Sequence, residues 1–225
     1  MIGPEYSGLA LNSPHNHVSE QVFELLHQEA RKAMTDTETT AGAYFEGQML
    51  LAMPAMTDPR FERAVIYMCA HNDEGAMGLV INKTLDSIDF RELLGQLDIP
   101  AADNARDVPV HFGGPVENQR GFVLHSNEYR HAETLMVTEH VGLTATLDIL
   151  RALAQGEGPE RSILALGYAG WGAGQLDSEI QDNAWLSVPY DEGLMFEVSD
   201  GDKWERAFNS IGVDLSVLSD TAGRA

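Results

Sequence analysis

A chain of 225 residues, 44% of them hydrophobic, can build one sizeable core, and no apolar run approaches the roughly 18 residues that cross a bilayer. Its 14 basic and 35 acidic residues leave a net charge of −21, and no Lys/Arg stripe exists to neutralise phosphates, which argues against direct DNA binding. A single cysteine, Cys69, excludes an intramolecular disulfide and any multi-cysteine metal site.

Residues 1–45 read as an appendage. Gly, Pro, Ser, Asn and His dominate as far as residue 17, and VSEQVFELLHQEARKAM then sets Val22, Leu25, Leu26, Ala30 and Ala33 at the spacing of one amphipathic helix. TDTETTAGA follows as a flexible linker. The N-terminus has no basic segment leading into a long apolar one, so a cytoplasmic location is expected, with no membrane contact.

From residue 46 to 225 a single domain is expected. QMLLAMP, AVIYMCAH and GLVINK are strands, the last two forming a hairpin around Gly75. IDFRELLGQLDI is a helix with Phe90, Leu93, Leu94 and Leu97 on one side, ending before Pro100. VPVHFGG, GFVLHS and ETLMVTE read as three more strands. In LTATLDILRALAQG, Thr144 is the expected N-cap, Leu147, Leu150, Leu153 and Ala154 the buried stripe, and Gly156 the terminator. RSILALGY is a buried strand, QLDSEIQDNAW a helix, AWLSVP and LMFEV strands, and DKWERAFNSIG a closing helix with Trp204, Phe208 and Ile211 on one face. Hairpins mixed with single helices predict an α/β (α+β) sandwich on a mixed, largely antiparallel sheet with packed helices.

GYAGWGAGQL, residues 167–176, offers glycines between a strand and a helix, the setting of a phosphate loop. It fails as one. Gly170 and Gly172 are followed by Gln175 where a dinucleotide motif needs glycine, and Ala173 and Gly174 replace the lysine and hydroxyl residue of a P-loop. Asp177, Glu179 and Asp182 then place negative charge near the helix start, where a phosphate would sit. No cofactor and no metal site is expected, since calcium-loop and H-E-x-x-H spacings are absent. HFGGPV supplies a second glycine signature in Gly113, Gly114 and Pro115, read as a shaped turn. Cys69 within AVIYMCAH reads as a small core hydrophobe and not a reactive thiol.

The string GQMLLAMPAMTDPRFERAVIYMCAHNDEGAMGLVINK, followed by HFGGPV, GFVLH and LGYAGWGAGQLDSEIQDNAWL, resembles the AlgH/YqgE family of bacterial proteins over about residues 46–223. The resemblance implies an α/β sandwich and a label of transcriptional regulator with no established reaction, so it transfers no catalytic residue. Trp185 is among the positions that match the family pattern.

A regulatory or protein-interaction role is therefore expected, through protein contacts and not by direct nucleic-acid binding, as a monomer or weak oligomer. The expected interaction surface is shallow and comprises Tyr168, Trp171, Gln175, Leu176 and Glu179, with Gly113, Gly114, Pro115, His71 and His125 nearby. The alternative is a hydrolase-like enzyme with an acid/base cluster of His71, Asp73, Glu74 or Glu179 by the glycine turns.

Overall fold

The computed structural model describes residues 44–213, residue 104 apart, together with residue 215. The helix and linker expected within residues 1–45 lie outside this range, except for residues 44 and 45. Strand β1 (Met49–Ala52) is buried at every position, which accounts for its unbroken apolar sequence: both faces of the strand are covered. β2 (Val65–Asn72) and β3 (Gly75–Val80) form the expected hairpin, from Ile66 opposite Val80 to Asn72 opposite Gly75. At its tip the Asn72 side-chain oxygen accepts the N–H groups of Glu74 and Gly75, an Asx turn.

Helix α1 (Phe90–Gln96) starts at a capping box: Asp89 accepts the Glu92 N–H at 2.8 Å and the Glu92 carboxylate accepts the Asp89 N–H at 3.1 Å. Then come β4 (Val110–Phe112), β5 (Val116–Ser126), β6 (Leu135–Met136), β7 (Val141–Thr144), α2 (Leu147–Gln155), β8 (Ser162–Gly172), α3 (Gln175–Gln181), β9 (Trp185–Val188), α4 (Glu192–Phe196) and α5 (Asp200–Ser210). The sheet runs β6-β7-β5-β8-β3-β2-β1-β9, antiparallel throughout, and β4 lies parallel to β8 off this path. This is the expected α+β architecture.

Strand β8 organises the molecule. Its first half pairs with β5 and β4, its second half pairs with β3, and Gly167, with φ +73°, marks the change of partner. The first half backs a core in which Phe90, Leu94, Ile149 and Leu153 of α1 and α2 meet Val110, Val123 and Leu164 of the sheet. The second half backs another, where Ala169, Trp171, Leu176 and Trp185 meet Leu50, Ile66, Met68 and Val80.

Several elements depart from the sequence reading. LMFEV is helical, as α4, because the Asp191 carboxylate caps the Leu194 N–H at 2.7 Å; an apolar run this short has no periodicity to separate helix from strand. Thr144 closes β7 and Thr146 takes the N-cap of α2, so Leu147 falls outside the buried stripe at 44% exposed. Ile211 follows α5 and is exposed as well. Only Leu135 and Met136 of ETLMVTE are strand, while Leu143 and Thr144, expected to open the helix segment, belong to β7.

Candidate functional site

The glycine segment 167–172 is strand. Gly75 lies opposite Gly172, Ala76 opposite Trp171 and Met77 opposite Gly170 in the β3–β8 ladder, so the chain turns only at Ala173 and Gly174 before α3. Of these glycines Gly167 serves close backbone approach, since a Cβ on it would stand 2.4 Å from the Gly114 carbonyl oxygen. A Cβ on Gly113 would stand 2.1 Å from the Gly167 carbonyl oxygen, and one on Gly114 would stand 2.0 Å from the Tyr168 carbonyl carbon. HFGGP and LGY are therefore one feature, a backbone crossing that tolerates no side chain. Pro115, half-buried, leads from it into β5.

Beyond the crossing, α3 folds back on the end of β8. The Gln175 side-chain oxygen accepts the Gly172 N–H at 3.1 Å, and its amide donates to Glu179 Oε1 at 2.8 Å. Glu179 Oε2 accepts two indole N–H groups, from Trp171 at 2.9 Å and Trp185 at 2.8 Å, and the two indole rings meet edge to face at 5.9 Å. Leu176 closes the corner from below at 1% exposed. The carboxylate thus holds three donors from β8, α3 and β9.

His71 reaches the same region from β2. Its ring stacks on Phe45 at 5.4 Å, its Nδ1 accepts the Phe45 N–H at 3.2 Å, and its Nε2 lies 3.6 Å from Asp177 of α3. Asp73 receives the Tyr44 hydroxyl at 3.0 Å. His71, Trp171, Gln175, Leu176 and Glu179 are brought together. Gly113, Gly114, Pro115 and Tyr168 belong to the crossing, where the Tyr168 ring meets Phe122 edge to face.

The surface expected from these residues requires correction. Tyr168, Trp171 and His71 are 8%, 7% and 7% exposed and Leu176 is inside, because β8 continues as a core strand through the glycines instead of looping outward. Gln175 is exposed and Glu179 half-buried. His125 stands apart, wholly buried on β5: its Nε2 meets the Thr144 hydroxyl at 2.9 Å, which in turn meets Thr134 at 2.8 Å. Burial pushes its pKa down, favouring the neutral ring. Gly142 makes room for that ring, since a Cβ there would come within 2.5 Å of it.

A second polar cluster went unseen in the sequence. His111 of β4 sets Nδ1 3.1 Å from the Leu164 carbonyl and Nε2 3.1 Å from an Asp200 oxygen. Lys203, 3% exposed, donates to the other Asp200 oxygen at 2.6 Å and to the Ile81 carbonyl at 3.0 Å. Burial alone would raise the Asp200 pKa; the hydrogen bonds from His111 and Lys203 outweigh it and hold the carboxyl at about 2. The only sequence signal was the i, i+3 spacing of Asp200 and Lys203 after Ser199. Trp185, by contrast, was visible as a position matching the family pattern.

Cys69 is 1% exposed and burial pushes its thiol well above its ordinary pKa, which removes the thiolate a reactive cysteine needs. Among the described residues no three His, Cys, Asp or Glu side chains converge in a way that could hold a metal ion, and no helix is long and apolar enough to cross a membrane.

Comparison with known proteins decides the family: the family described as AlgH-like matches residues 49–216. The chain belongs to the AlgH-like family. A UPF0301 protein of Rhodospirillum rubrum is 55% identical over 182 residues, covering 81% of this chain and 95% of that one. A UPF0301 protein of Methylocella silvestris is 53% identical, covering 82% and 93%. The solution structure of the AlgH protein from Pseudomonas aeruginosa superposes with a TM-score of 0.67 at 41% identity, over 84% of this chain and all of that one. The AlgH-like core therefore spans both the crossing and the Glu179 corner.

Proposed function

We propose that this protein is a regulatory module that works in the cytoplasm through contacts with other proteins, as a monomer or weak oligomer, without binding DNA itself. The observation that carries this reading is the state of its polar groups. Glu179 already accepts three hydrogen bonds, His125 is enclosed, and Asp200 is engaged by His111 and Lys203, whereas the exterior of a chain with net charge −21 is rich in carboxylates. Groups committed to the fold serve architecture; a charged exterior serves recognition and rejects wrong partners. The hydrolase alternative has less behind it, since a general base needs a free lone pair facing substrate, and His71 Nδ1 is taken by the Phe45 N–H.

In-cell crosslinking of the full chain, followed by denaturing purification and mass spectrometry, tests the proposal. Discrete protein partners are expected at high occupancy, together with no retardation of duplex DNA at about 150 mM salt, where a phosphate-binding surface would still register. Recovery of the chain alone, or salt-sensitive DNA retardation, would overturn it.

A further inference from the structure

Helices α4 and α5 flank a cleft of about 760 Å³. Its lining combines two chemistries. Asp191, Glu197, Asp202 and Glu205 line it with the guanidinium of Arg206, while Arg161 approaches Glu197 and Arg63 pairs with Glu205 from outside the lining, so the lining itself carries more carboxylates than cations. Leu194, 7% exposed, and the half-buried Val198 supply apolar surface deeper in. The volume falls in the range of ligand clefts, roughly 300–1,000 Å³.

The geometry points to an arginine- or lysine-bearing segment of a partner protein as the occupant of this cleft, an inference that rests on the protein-contact reading above. A long basic side chain lays its methylene stem on apolar surface and sets its charged head among carboxylates, and the cleft presents both. The four carboxylates are not equally committed. Asp191 caps α4 and Asp202 accepts the Ser199 hydroxyl. Among the described residues Glu197, with its side chain 69% exposed, is approached by Arg161 at 3.9 Å, and Glu205, 55% exposed, pairs with Arg63 at the surface. Glu197 and Glu205 are thus the two that can turn to an incoming cation at little cost, since exposed ion pairs are weak. Anionic ligands and nucleic acid are disfavoured by the same charge. Among the described residues no three His, Cys, Asp or Glu side chains gather to hold a metal ion.

The test uses the full chain and a fluorescein-labelled peptide of alternating arginine and leucine, read by fluorescence anisotropy at about 150 mM salt, where distant surface charges are largely screened. The arginine peptide binds and its glutamate counterpart does not. Glu197→Lys with Glu205→Lys weakens binding at least tenfold. Asp73→Lys with Glu74→Lys changes net charge equally on the β2–β3 turn, outside the cleft, and leaves affinity within twofold. Asn209→Trp, which narrows the cleft without changing charge, also weakens binding tenfold. Near-ultraviolet circular dichroism confirms that each variant is folded. Equal weakening by both charge reversals, or no binding of the arginine peptide, overturns the inference. Repeating the in-cell crosslinking separates the two levels: partners identical for wild type and Glu197→Lys/Glu205→Lys sink the cleft and spare the protein-contact reading, while an absence of partners for wild type sinks that reading itself.

Discussion

Two carboxylates anchor this molecule in different ways. Glu179 is surrounded by neutral donors, two indoles and one amide, all between residues 171 and 185. Asp200 lies between an imidazole and a buried ammonium, and its cluster ties α5 to β4 and to the end of β3 across sequence separations of 89 and 122 residues. The difference teaches what each cluster is for. A local set of dipoles fixes the shape of one corner, whereas a long-range ionic set fastens the last described helix to the sheet, where Trp204 adds a hydrogen bond to the Ala52 carbonyl at 2.8 Å.

The comparison breaks most visibly at the ionic cluster. Asp200→Ala leaves the Lys203 ammonium buried without its counter-charge, and the expected loss is about 3–5 kcal/mol in urea unfolding. A loss of only about 1–3 kcal/mol would put the two clusters on the same footing. Acid sharpens the contrast next. The Asp200 carboxyl, 3.8 ordinarily and about 2 when folded, contributes stability that is complete above about pH 4 and is lost as pH falls toward 2. That fall amounts to roughly 2 kcal/mol and should vanish from the profile of Asp200→Asn. His125 acts at milder acidity and in the same direction: its depressed pKa favours the folded state above the ordinary histidine range, and stability declines as pH drops below about 6.5.

Legibility followed sequence distance. The β2–β3 hairpin was readable because its turn and both apolar runs are contiguous, and α1 because its stripe recurs at helical spacing. The residues of the Glu179 corner could be gathered because they lie within one strand-helix-strand segment. Their exposure could not be read. Glycines in GYAGWG suggest a loop, yet the segment is strand, and its Gly167 meets Gly113 and Gly114 of HFGGP in a backbone crossing; which strand runs beneath is a tertiary fact. The His111 cluster was invisible for the same reason: nothing near His111 in sequence announces Asp200. Helix α4 was misread because five residues carry too little periodicity, although Asp191 before them was a usable cap signal.

The neutral cluster should respond more mildly, and its chemistry can be exchanged. Glu179→Ala strands two indole N–H groups in partly buried surroundings, an expected cost of about 1–3 kcal/mol with a change in tryptophan emission. Glu179→Gln costs less, about 1 kcal/mol, because an amide oxygen can still accept from Trp171 and Trp185. Its new NH2, however, then faces the Gln175 NH2, donor against donor. If Gln175 flips to resolve this, its oxygen leaves the Gly172 N–H that it now accepts. Moving the charge resolves the conflict: Gln175→Glu combined with Glu179→Gln supplies an acceptor both to the newly introduced amide and to the Gly172 N–H. The double variant is expected to recover most of the loss, as a favourable coupling of about 0.5–1 kcal/mol in a double-mutant cycle. Simple additivity would mean that the indole pair alone holds the corner, and that the Gln175 arm contributes nothing to its shape.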